Sequence, residues 1–412
     1  MWIKVLILLL QLGELIEIQL VGTISASGIF YILWFAYNFV SGRWSAELRP
    51  RLIYKISKLY LWLFVFQLVS EIIVGNEVSN AMKGLAVTVL SYMKFMCLWP
   101  IVKNDGRRIT WLFACMVISG AISFKYMSDS EFVMDSLING SEYSIFKFKI
   151  APLLGDILVV LSFFKFEKRN IALLSMITGA ICAVLGARST GLMIFLTGFI
   201  VFVIYHMNRV ITKRQIITWS LFSSLVLYCF FALYVTAVLK GTIVGGNSKD
   251  QFARVEHPYN PIHILLSGRT ESPASMAAIS DRPFTGFGAW AEDPGFKYHS
   301  IQAEAQGEAL IIRDDTSHLI PAHSVVLQTG VHEGIFAMTI MIFILYFFIR
   351  RGAKSINKNN VYNYLVVYCI MQLSWHGLFS PVSHFRNSFP IYFCCCLFSY
   401  RYSIYKKKLN NR

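Results

Sequence analysis

Residues 321–334 of the chain, PAHSVVLQTGVHEG, mark the point at which a long polar stretch returns to apolar sequence. The polar stretch begins at about Lys240, and most of the chain on either side of it consists of apolar runs. Many of these runs approach the roughly 20 residues that a helix needs to cross a bilayer. The sequence therefore predicts an all-α, polytopic membrane protein with one large loop, residues 239–322.

The composition indicates a membrane protein and argues against a nucleic-acid partner. Of the 412 residues, 56% are hydrophobic and only 15% are charged, and the mean hydropathy is +0.54. The formal net charge is +15, but the lysines and arginines form short clusters between apolar runs rather than one basic face. All eight cysteines lie inside apolar runs, so we expect them to be packing residues rather than a disulfide framework.

Twelve apolar runs are predicted to be transmembrane helices, near residues 4–21, 25–41, 59–74, 84–101, 110–125, 148–164, 171–187, 190–206, 216–238, 323–349, 361–379 and 388–400. Alternate breaks between them are rich in lysine and arginine, namely 42–58, 102–109, 165–170, 207–215, 350–360 and 401–412. Basic segments of a membrane protein stay in the cytoplasm. We therefore expect both termini in the cytoplasm and three regions, which are spans one to nine (1–238), an external loop (239–322), and the last three spans with a tail (323–412).

Two arginines near the predicted outer surface are candidate anion ligands. Arg188 lies at the external end of the seventh predicted span, where a guanidinium is costly unless it is paired or faces water. Arginine grips a diphosphate or a carboxylate through two parallel hydrogen bonds. An interfacial arginine in a hairpin turn explains Arg188 equally well, and a solvated loop residue is the simpler explanation of Arg269.

A turn is predicted in the loop at residues 281–288, DRPFTGFG, because glycine and proline permit backbone angles that tight turns need. Asp281, Gly286 and Gly288 are its candidate functional residues. The Gly-Phe-Gly within it does not match a nucleotide-binding fingerprint, since no strand precedes it and no helix-opening glycine follows it.

His323 is predicted at the first turn of the tenth span. The positive end of the helix dipole disfavours imidazolium there, so the ring is suited to act as a general base. An interfacial residue that only satisfies a hydrogen bond is the alternative. His332 and Glu333 lie nine and ten residues further on, too deep to be solvated without a cavity. Their spacing from His323 does not favour a shared metal ion.

Charged and titratable residues also occur inside or beside predicted spans. Such residues are by default functional or mutually paired, and we favour structural pairing or a polar cavity lining for Glu14, Glu17, Lys94 and Asp156. His376 and Arg386, near the external end of the last hairpin, are candidates to line the same cavity as His323.

These motifs together resemble the O-antigen polymerase and ligase family of bacterial membrane glycosyltransferases. The resemblance rests on three groups of residues: Arg188 with Leu192; Ser267-Gly268-Arg269 followed by Asp281, Pro283, Gly286 and Gly288; and His323 with ten residues between it and Gly334. Two positions depart from the family pattern. Ser324 stands where the family often has asparagine, and Ser272-Pro273 stands where an aromatic residue commonly follows the Gly-Arg pair.

The resemblance implies a GT-C-like fold in the bacterial inner membrane and an active site at the periplasmic face. The implied reaction transfers a glycan from an undecaprenyl-pyrophosphate carrier to a sugar hydroxyl, with no cofactor and no metal. Arg188 and Arg269 would stabilise the departing diphosphate and His323 would take the acceptor proton, with Asp281, Gly286, Gly288 and His318 among the substrate-binding residues. The implied partners are the lipid-linked glycan, the acceptor glycan and membrane lipids, with a flippase and a chain-length regulator as associated proteins.

The sequence leaves three alternatives open. A ligase that moves finished glycan to lipid A core shares the same motifs, and we favour the polymerase. A lipid-linked oligosaccharide flippase has similar spans but needs charges along a central cavity and no large outward loop. A solute transporter predicts internal repeats and broken helices, and the sequence shows neither.

Overall fold

The computed structural model describes residues 2–19, 22–126, 146–164, 167–206, 213–242, 257–261, 269–306 and 318–410, with the single residues Phe252, Leu310 and Ile312. Its helices are α1 (Trp2–Gly13), α2 (Ala26–Val40), α3 (Arg43–Leu48), α4 (Arg51–Val74), α5 (Val78–Val102), α6 (Gly106–Tyr126), α7 (Ala151–Leu161), α8 (Lys168–Val184), α9 (Arg188–His206), α10 (Lys213–Leu239), α11 (Glu271–Asp281), α12 (Lys297–Gln306), α13 (Val325–Ser355), α14 (Asn363–Phe379), α15 (Ser383–Asn387) and α16 (Phe389–Asn410). A π-helical turn (Phe146–Ile150) precedes α7, and a 3-10 turn (Pro294–Phe296) precedes α12. The strands β1 (Glu17–Gln19) and β2 (Thr23–Ser25) form one antiparallel hairpin.

Each of the twelve predicted spans overlaps a helix of the described chain. Four helices in the described residues, α4, α5, α9 and α13, are long and apolar enough to cross a membrane, and shorter apolar helices cover Trp2–Gly13, Ala26–Val40 and Tyr228–Leu239. The mostly helical fold with membrane-spanning candidates is therefore confirmed. The count of twelve spans, the external position of the loop and the side on which the termini lie stay predictions.

The first predicted span, 4–21, is too long, because α1 ends at Gly13 and the β1–β2 hairpin follows. Glu14 leaves the helix to form an ion pair with Lys94 of α5, at 2.8 Å. Ser25 donates a second hydrogen bond to the Glu14 carboxylate, at 2.9 Å. A carboxylate held in this way by two other elements is better satisfied outside an apolar helix than inside it. The predicted pairing is thus confirmed for Glu14 and Lys94.

The other charged residues of the predicted spans behave differently from that pair. Tyr368 of α14 donates its hydroxyl to the Asp156 carboxylate of α7 at 3.0 Å, so a hydroxyl rather than a cation satisfies this carboxylate. Glu17 is exposed on β1, which places it outside any span. Arg386 of α15 donates to the carbonyl oxygen of Thr23, at 3.2 Å, and so ties the last hairpin to β2.

The described basic breaks gather at one end of the helical bundle. Trp111 of α6 donates to the carbonyl oxygen of Lys4 at 2.7 Å, and Lys406 of α16 donates to that of Asn359 at 2.7 Å. Tyr205, near the end of α9, donates to the carbonyl oxygen of Asn360 at 2.9 Å. The contacts of Glu14, and of the loop residues 269–306 and 318–323, lie at the opposite end, because Lys94 also reaches Asn387 O before the start of α16 and the loop leads into the start of α13. This separation follows the alternation of basic and non-basic breaks in the sequence.

Helix α13 is broken at Gly334, where φ is 81° and ψ is −179°. The loop turn supplies hydrogen-bond partners for the backbone groups at the break. Phe287 N donates to Val331 O and Gly288 N donates to His332 O, both at 2.8 Å. In return Ile335 N donates to Pro283 O at 2.7 Å. Backbone groups freed inside a membrane helix need such partners. The sequence showed no broken helix, and the break at Gly334 corrects that interpretation.

Gly334→Ala is expected to destabilise the protein strongly. Its backbone conformation is nearly exclusive to glycine and costs another residue on the order of 1–3 kcal/mol, and an added Cβ would overlap the Phe284 carbonyl oxygen. The measurement is the thermal unfolding midpoint of the purified protein in detergent. Gly241→Ala is the matched control, since its φ is +72° but, among the described residues other than its chain neighbours, no atom lies within 4 Å of an added Cβ. Equal midpoints for the two variants would contradict the role of the Gly334 break.

Candidate active site

A cleft of about 400 Å³ lies between the loop helices α11 and α12 and the N-terminal end of α13. Each surrounding element contributes polar side chains to it: Glu271 comes from α11, His299 and Gln302 from α12, His323 from the segment before α13, and Gln328 and His332 from α13 itself. The remaining wall is formed by Trp290, Ala291, Leu319, Ile320, Pro321 and Ala322. The polar loop and the broken helix therefore share one site.

His323 is exposed and lies just before α13 rather than in its first turn. Ser324 is the N-cap residue, and its hydroxyl accepts a hydrogen bond from Leu327 N at 3.2 Å and donates one to Gly377 O at 3.1 Å. Serine is a good N-cap because its side chain accepts from a free amide of the first turn. The departure at Ser324 thus has a structural role, which is to fix the start of α13 against the end of α14.

Two further histidines lie beside His323. The rings of His376 and His384 stack with their centroids 4.1 Å apart, and His376 Nδ1 is 2.7 Å from Ser380 Oγ. Burial lowers the pKa of His384, in the short helix between α14 and α16, and repulsion from His323 lowers it further. His376 and His384 support the rim next to His323, and neither is among the residues that line the cleft.

Arg269 lies over the aromatic end of α14, with its guanidinium carbon 5.7 Å from the ring centre of Trp375 and 5.2 Å from that of Phe379. Burial lowers the pKa of Arg269, and attraction to Glu271 opposes this shift. The guanidinium nevertheless stays charged at any physiological pH. Because Ser324 contacts Gly377 on the same turn of α14, the structure brings Arg269 and His323 to the same end of this helix. Ser267 and Gly268 lie outside the described residues.

Arg188 is the first residue of α9 and is half-buried, with its guanidinium carbon 5.7 Å from the ring centre of Phe252. Helix α9 runs antiparallel to α14, because Asn363 at the start of α14 donates to the hydroxyl of Tyr205 at 3.0 Å. The start of α9 and the end of α14 therefore lie at the same end of the bundle. Arg188 shares that end with Arg269 and His323, although it does not line the cleft.

The two glycines of the loop turn form the base of the site and do not face into the cleft. Gly286 and Gly288 have φ angles of +65° and +84°. An added Cβ on Gly286 would overlap the His332 carbonyl, and one on Gly288 would meet the Asn76 side chain. Glycine is therefore needed at 286 so that the turn can approach the broken helix, and at 288 so that it can approach Asn76.

His318 is also set apart from the cleft. It is exposed, its carbonyl oxygen accepts from Asp293 N at 2.6 Å, and its ring centre is 5.3 Å from that of Phe296. This residue holds the strand-like segment 318–320 beside the 291–293 segment, an arrangement that also includes an antiparallel bridge between Glu292 and Leu319.

Asp281 joins the two loop helices to each other. Its carboxylate lies 2.5 Å from Lys297 Nζ and accepts the Tyr298 hydroxyl at 2.7 Å, both at the start of α12. These hydrogen bonds from Lys297 and Tyr298 lower the pKa of Asp281 below its ordinary value of 3.8. The same interaction, added to burial, raises the pKa of Tyr298.

Asp281→Asn is expected to remove an acid-sensitive part of the loop's stability. The lowered pKa of Asp281 stabilises the folded state fully at pH values above the ordinary carboxyl pKa of 3.8. This stabilisation is lost as the pH falls through the lowered pKa. The effect should be small, because the Asp281 side chain is 40% exposed. The unfolding midpoints of wild type and variant should differ at neutral pH and become equal at pH values below the lowered pKa of Asp281. Loss of activity with an unchanged midpoint would instead place Asp281 in substrate binding.

Sequence reasoning missed Asp293, His299 and Trp290. His299 Nδ1 lies 2.7 Å from Asp293 Oδ2, with the Asp293 side chain fully buried and that of His299 13% exposed. The sequence did contain one indication, because an aspartate before Pro294-Gly295 is typical of a helix start. The Asp293 carboxylate indeed accepts hydrogen bonds from the backbone amides of Tyr298 and His299. The sequence alone did not reveal that the capped helix would turn His299 into the cleft.

His332 and Glu333, the polar residues well inside α13, have different surroundings. His332 lines the cleft, which supplies the cavity that solvation at this depth requires. Glu333 points to the other side of the helix, where Gln67 of α4 donates to its carboxylate at 3.3 Å. Among the described residues, no group of three or more His, Cys, Asp or Glu side chains is arranged to hold a metal ion.

The fold and the site define a helical membrane protein with a polar cleft at one end of its bundle. No protein-family model and no curated protein matches the chain.

Proposed function

We propose that the protein is a membrane glycosyltransferase that polymerises undecaprenyl-pyrophosphate-linked oligosaccharide repeat units at the periplasmic face of the bacterial inner membrane. The observation that supports this best is the shared position of Arg269 and His323 at the end of α14, beside a cleft lined by polar side chains. A fixed cation next to a histidine suits the departure of an anion and the capture of a proton.

The reaction has one bond to form and one to break. The acceptor hydroxyl oxygen attacks the anomeric carbon of the donor glycan, and its proton passes to His323. The bond between that carbon and the diphosphate oxygen breaks, and its electron pair leaves with the lipid diphosphate. Arg269 and Arg188 stabilise the charge that grows on this leaving group. The lipid tail lies among the apolar helices, and the glycan extends into the cleft.

The test is a transfer assay with purified protein in lipid nanodiscs and lipid-linked repeat units as the sole substrate. A polymerase is expected to produce a ladder of longer lipid-linked glycans. Product that forms only after addition of lipid A core would identify a ligase instead. Absence of both products, with intact donor recovered, would overturn glycan transfer and leave passage of the lipid-linked donor across the bilayer as the function to measure.

The proposal requires the cleft to face away from the cytoplasm. Ser300→Cys on α12 should react in intact cells with a maleimide that cannot cross the membrane, whereas Lys358→Cys at the basic end should react only after lysis. Both positions are exposed. Cys229 is replaced by serine in this experiment because it is the exposed native cysteine among those in the described chain. Protection of Ser300→Cys in intact cells would contradict the proposed topology.

A further inference from the structure

One wall of the cleft is not used by the proposed chemistry and is unusually well fixed. Trp290 lies there and is 36% exposed, although its φ of 55° is rare for a bulky residue. The chain is held on both sides of it. Ala289 N donates to the Glu71 carboxylate and Asn76 donates to Ala289 O, each at 2.8 Å, and Ala291 O accepts from Ile320 N at 3.0 Å. These contacts fix the backbone on both sides of Trp290, which lines the cleft with its ring centre 6.4 Å from that of His332. Backbone strain of this kind is concentrated at functional sites.

Helix α12 contributes the polar side chains of the same wall. His299 Nδ1 lies 2.7 Å from the Asp293 carboxylate, which favours the ring form with its proton on this nitrogen, and His299 lines the cleft. Within the described residues, His299 Nε2 has no hydrogen-bond partner. Gln302 follows three residues later on the same face of α12 and also lines the cleft.

We infer that this wall is a saccharide subsite, which under the proposed function binds the acceptor sugar. An aromatic face packs against the apolar C–H face of a pyranose, while the hydroxyl groups around the ring bond to His299 and Gln302. This combination of an apolar surface with a few placed polar groups is typical of small-molecule sites. The inference adds a site for the acceptor glycan to a site already proposed for the donor diphosphate.

The charges of the cleft favour a neutral polyhydroxylated ligand over the diphosphate on this wall. Glu271 lines the cleft, and the Asp293 carboxylate lies directly behind His299. Two carboxylates repel a diphosphate. Arg269 lies over Trp375 and Phe379 of α14. The donor diphosphate and the acceptor sugar are therefore assigned to different sides of His323.

Kinetics with a varied lipid-free oligosaccharide as the acceptor and a saturating lipid-linked donor test the subsite, and the elongated lipid-free glycan is the product that is measured. Trp290→Ala and His299→Gln should each raise the KM for the acceptor about 10- to 100-fold, the range expected for the loss of a central anchor, and leave the KM for the donor within about twofold. Ser300→Ala is the matched control on α12, since Ser300 is exposed and outside the cleft. Unfolding midpoints show whether each variant is folded, and Trp290→Phe, which keeps a ring, should recover most of the affinity. An unchanged acceptor KM in both folded variants would overturn the subsite.

A binding measurement separates this inference from the proposed function. The probe is the oligosaccharide released by mild acid from the host's own lipid-linked pool, observed by saturation-transfer NMR with the purified protein. Binding that is weakened in Trp290→Ala, without any transfer by wild type, would retain the subsite and overturn the glycosyltransferase. Transfer by wild type together with binding and acceptor KM that do not depend on Trp290 or His299 would retain the glycosyltransferase and overturn the subsite.

Discussion

Replacement of His323 by glutamine is expected to reduce glycan transfer by roughly 10²- to 10⁴-fold, the usual contribution of a positioned general base. A sugar hydroxyl is a poor nucleophile at neutral pH, so its proton needs an acceptor as the new bond forms. Glutamine keeps hydrogen bonding but cannot take up this proton. His323→Ala should fail equally. The measurement is the initial rate of product formation in the purified transfer assay, with the amount of folded protein determined in parallel.

The position of His323 makes a loss of activity in these variants straightforward to interpret. The residue is exposed and precedes the N-cap of α13, so its replacement leaves the capping hydrogen bond of this helix in place. His206→Gln at the other end of the bundle is the matched control, because its ring stacks on Phe202 at 5.0 Å and takes no part in the proposed site. Binding of the lipid-linked donor should persist in both variants.

Wild-type turnover by His323→Gln would contradict its role as the base. The histidine would then only position the acceptor, and the proton acceptor would have to be sought in His299, in His318, in the departing diphosphate, or in Asp314 and Asp315. The last two lie outside the described residues. His299 would be the first to examine, because its Nδ1 is held by a buried carboxylate.

The positions of the helices were accessible from sequence because they depend on long apolar runs, which are a local property. The approximate place of His323, where polar sequence gives way to such a run, was accessible for the same reason. The end of α1 was not. It depends on Lys94, eighty residues along the chain from Glu14, which offers the carboxylate an ion pair outside the helix.

The interior of the site was also beyond sequence patterns, because it is built from distant segments. The break at Gly334 is stable only because the backbone of residues 283–288 supplies its hydrogen bonds. Gly286 and Gly288 were correctly interpreted as turn residues, yet nothing local indicated that the turn would pack against α13. In the same way, the contact between Asp293 and His299 contributes to the site only because the fold places α12 and His323 around the same cleft.

Arg269→Lys is expected to reduce transfer by about thirty- to a thousand-fold, which corresponds to the roughly 2 to 4 kcal/mol lost when one preorganised contact to a transition-state charge is removed. Lysine keeps the positive charge and can still lie over Trp375 and Phe379, but it lacks the planar fork that holds two oxygens of a diphosphate. The same change at Arg188 should have an effect of this size if the two arginines contact the diphosphate from opposite sides. Initial rates at saturating donor measure both effects.

Arg282→Lys provides the matched control for these two variants. Arg282 is an exposed loop arginine whose guanidinium carbon lies 4.7 Å from the ring centre of Phe287, so it repeats the cation–aromatic contact of Arg269 outside the cleft. Its activity should equal that of wild type. Full activity in Arg188→Lys with a large loss in Arg269→Lys would remove Arg188 from the site and leave Arg269 as the diphosphate ligand. Full activity in both lysine variants would remove the bidentate contact from the mechanism, because a point charge would then suffice at each position.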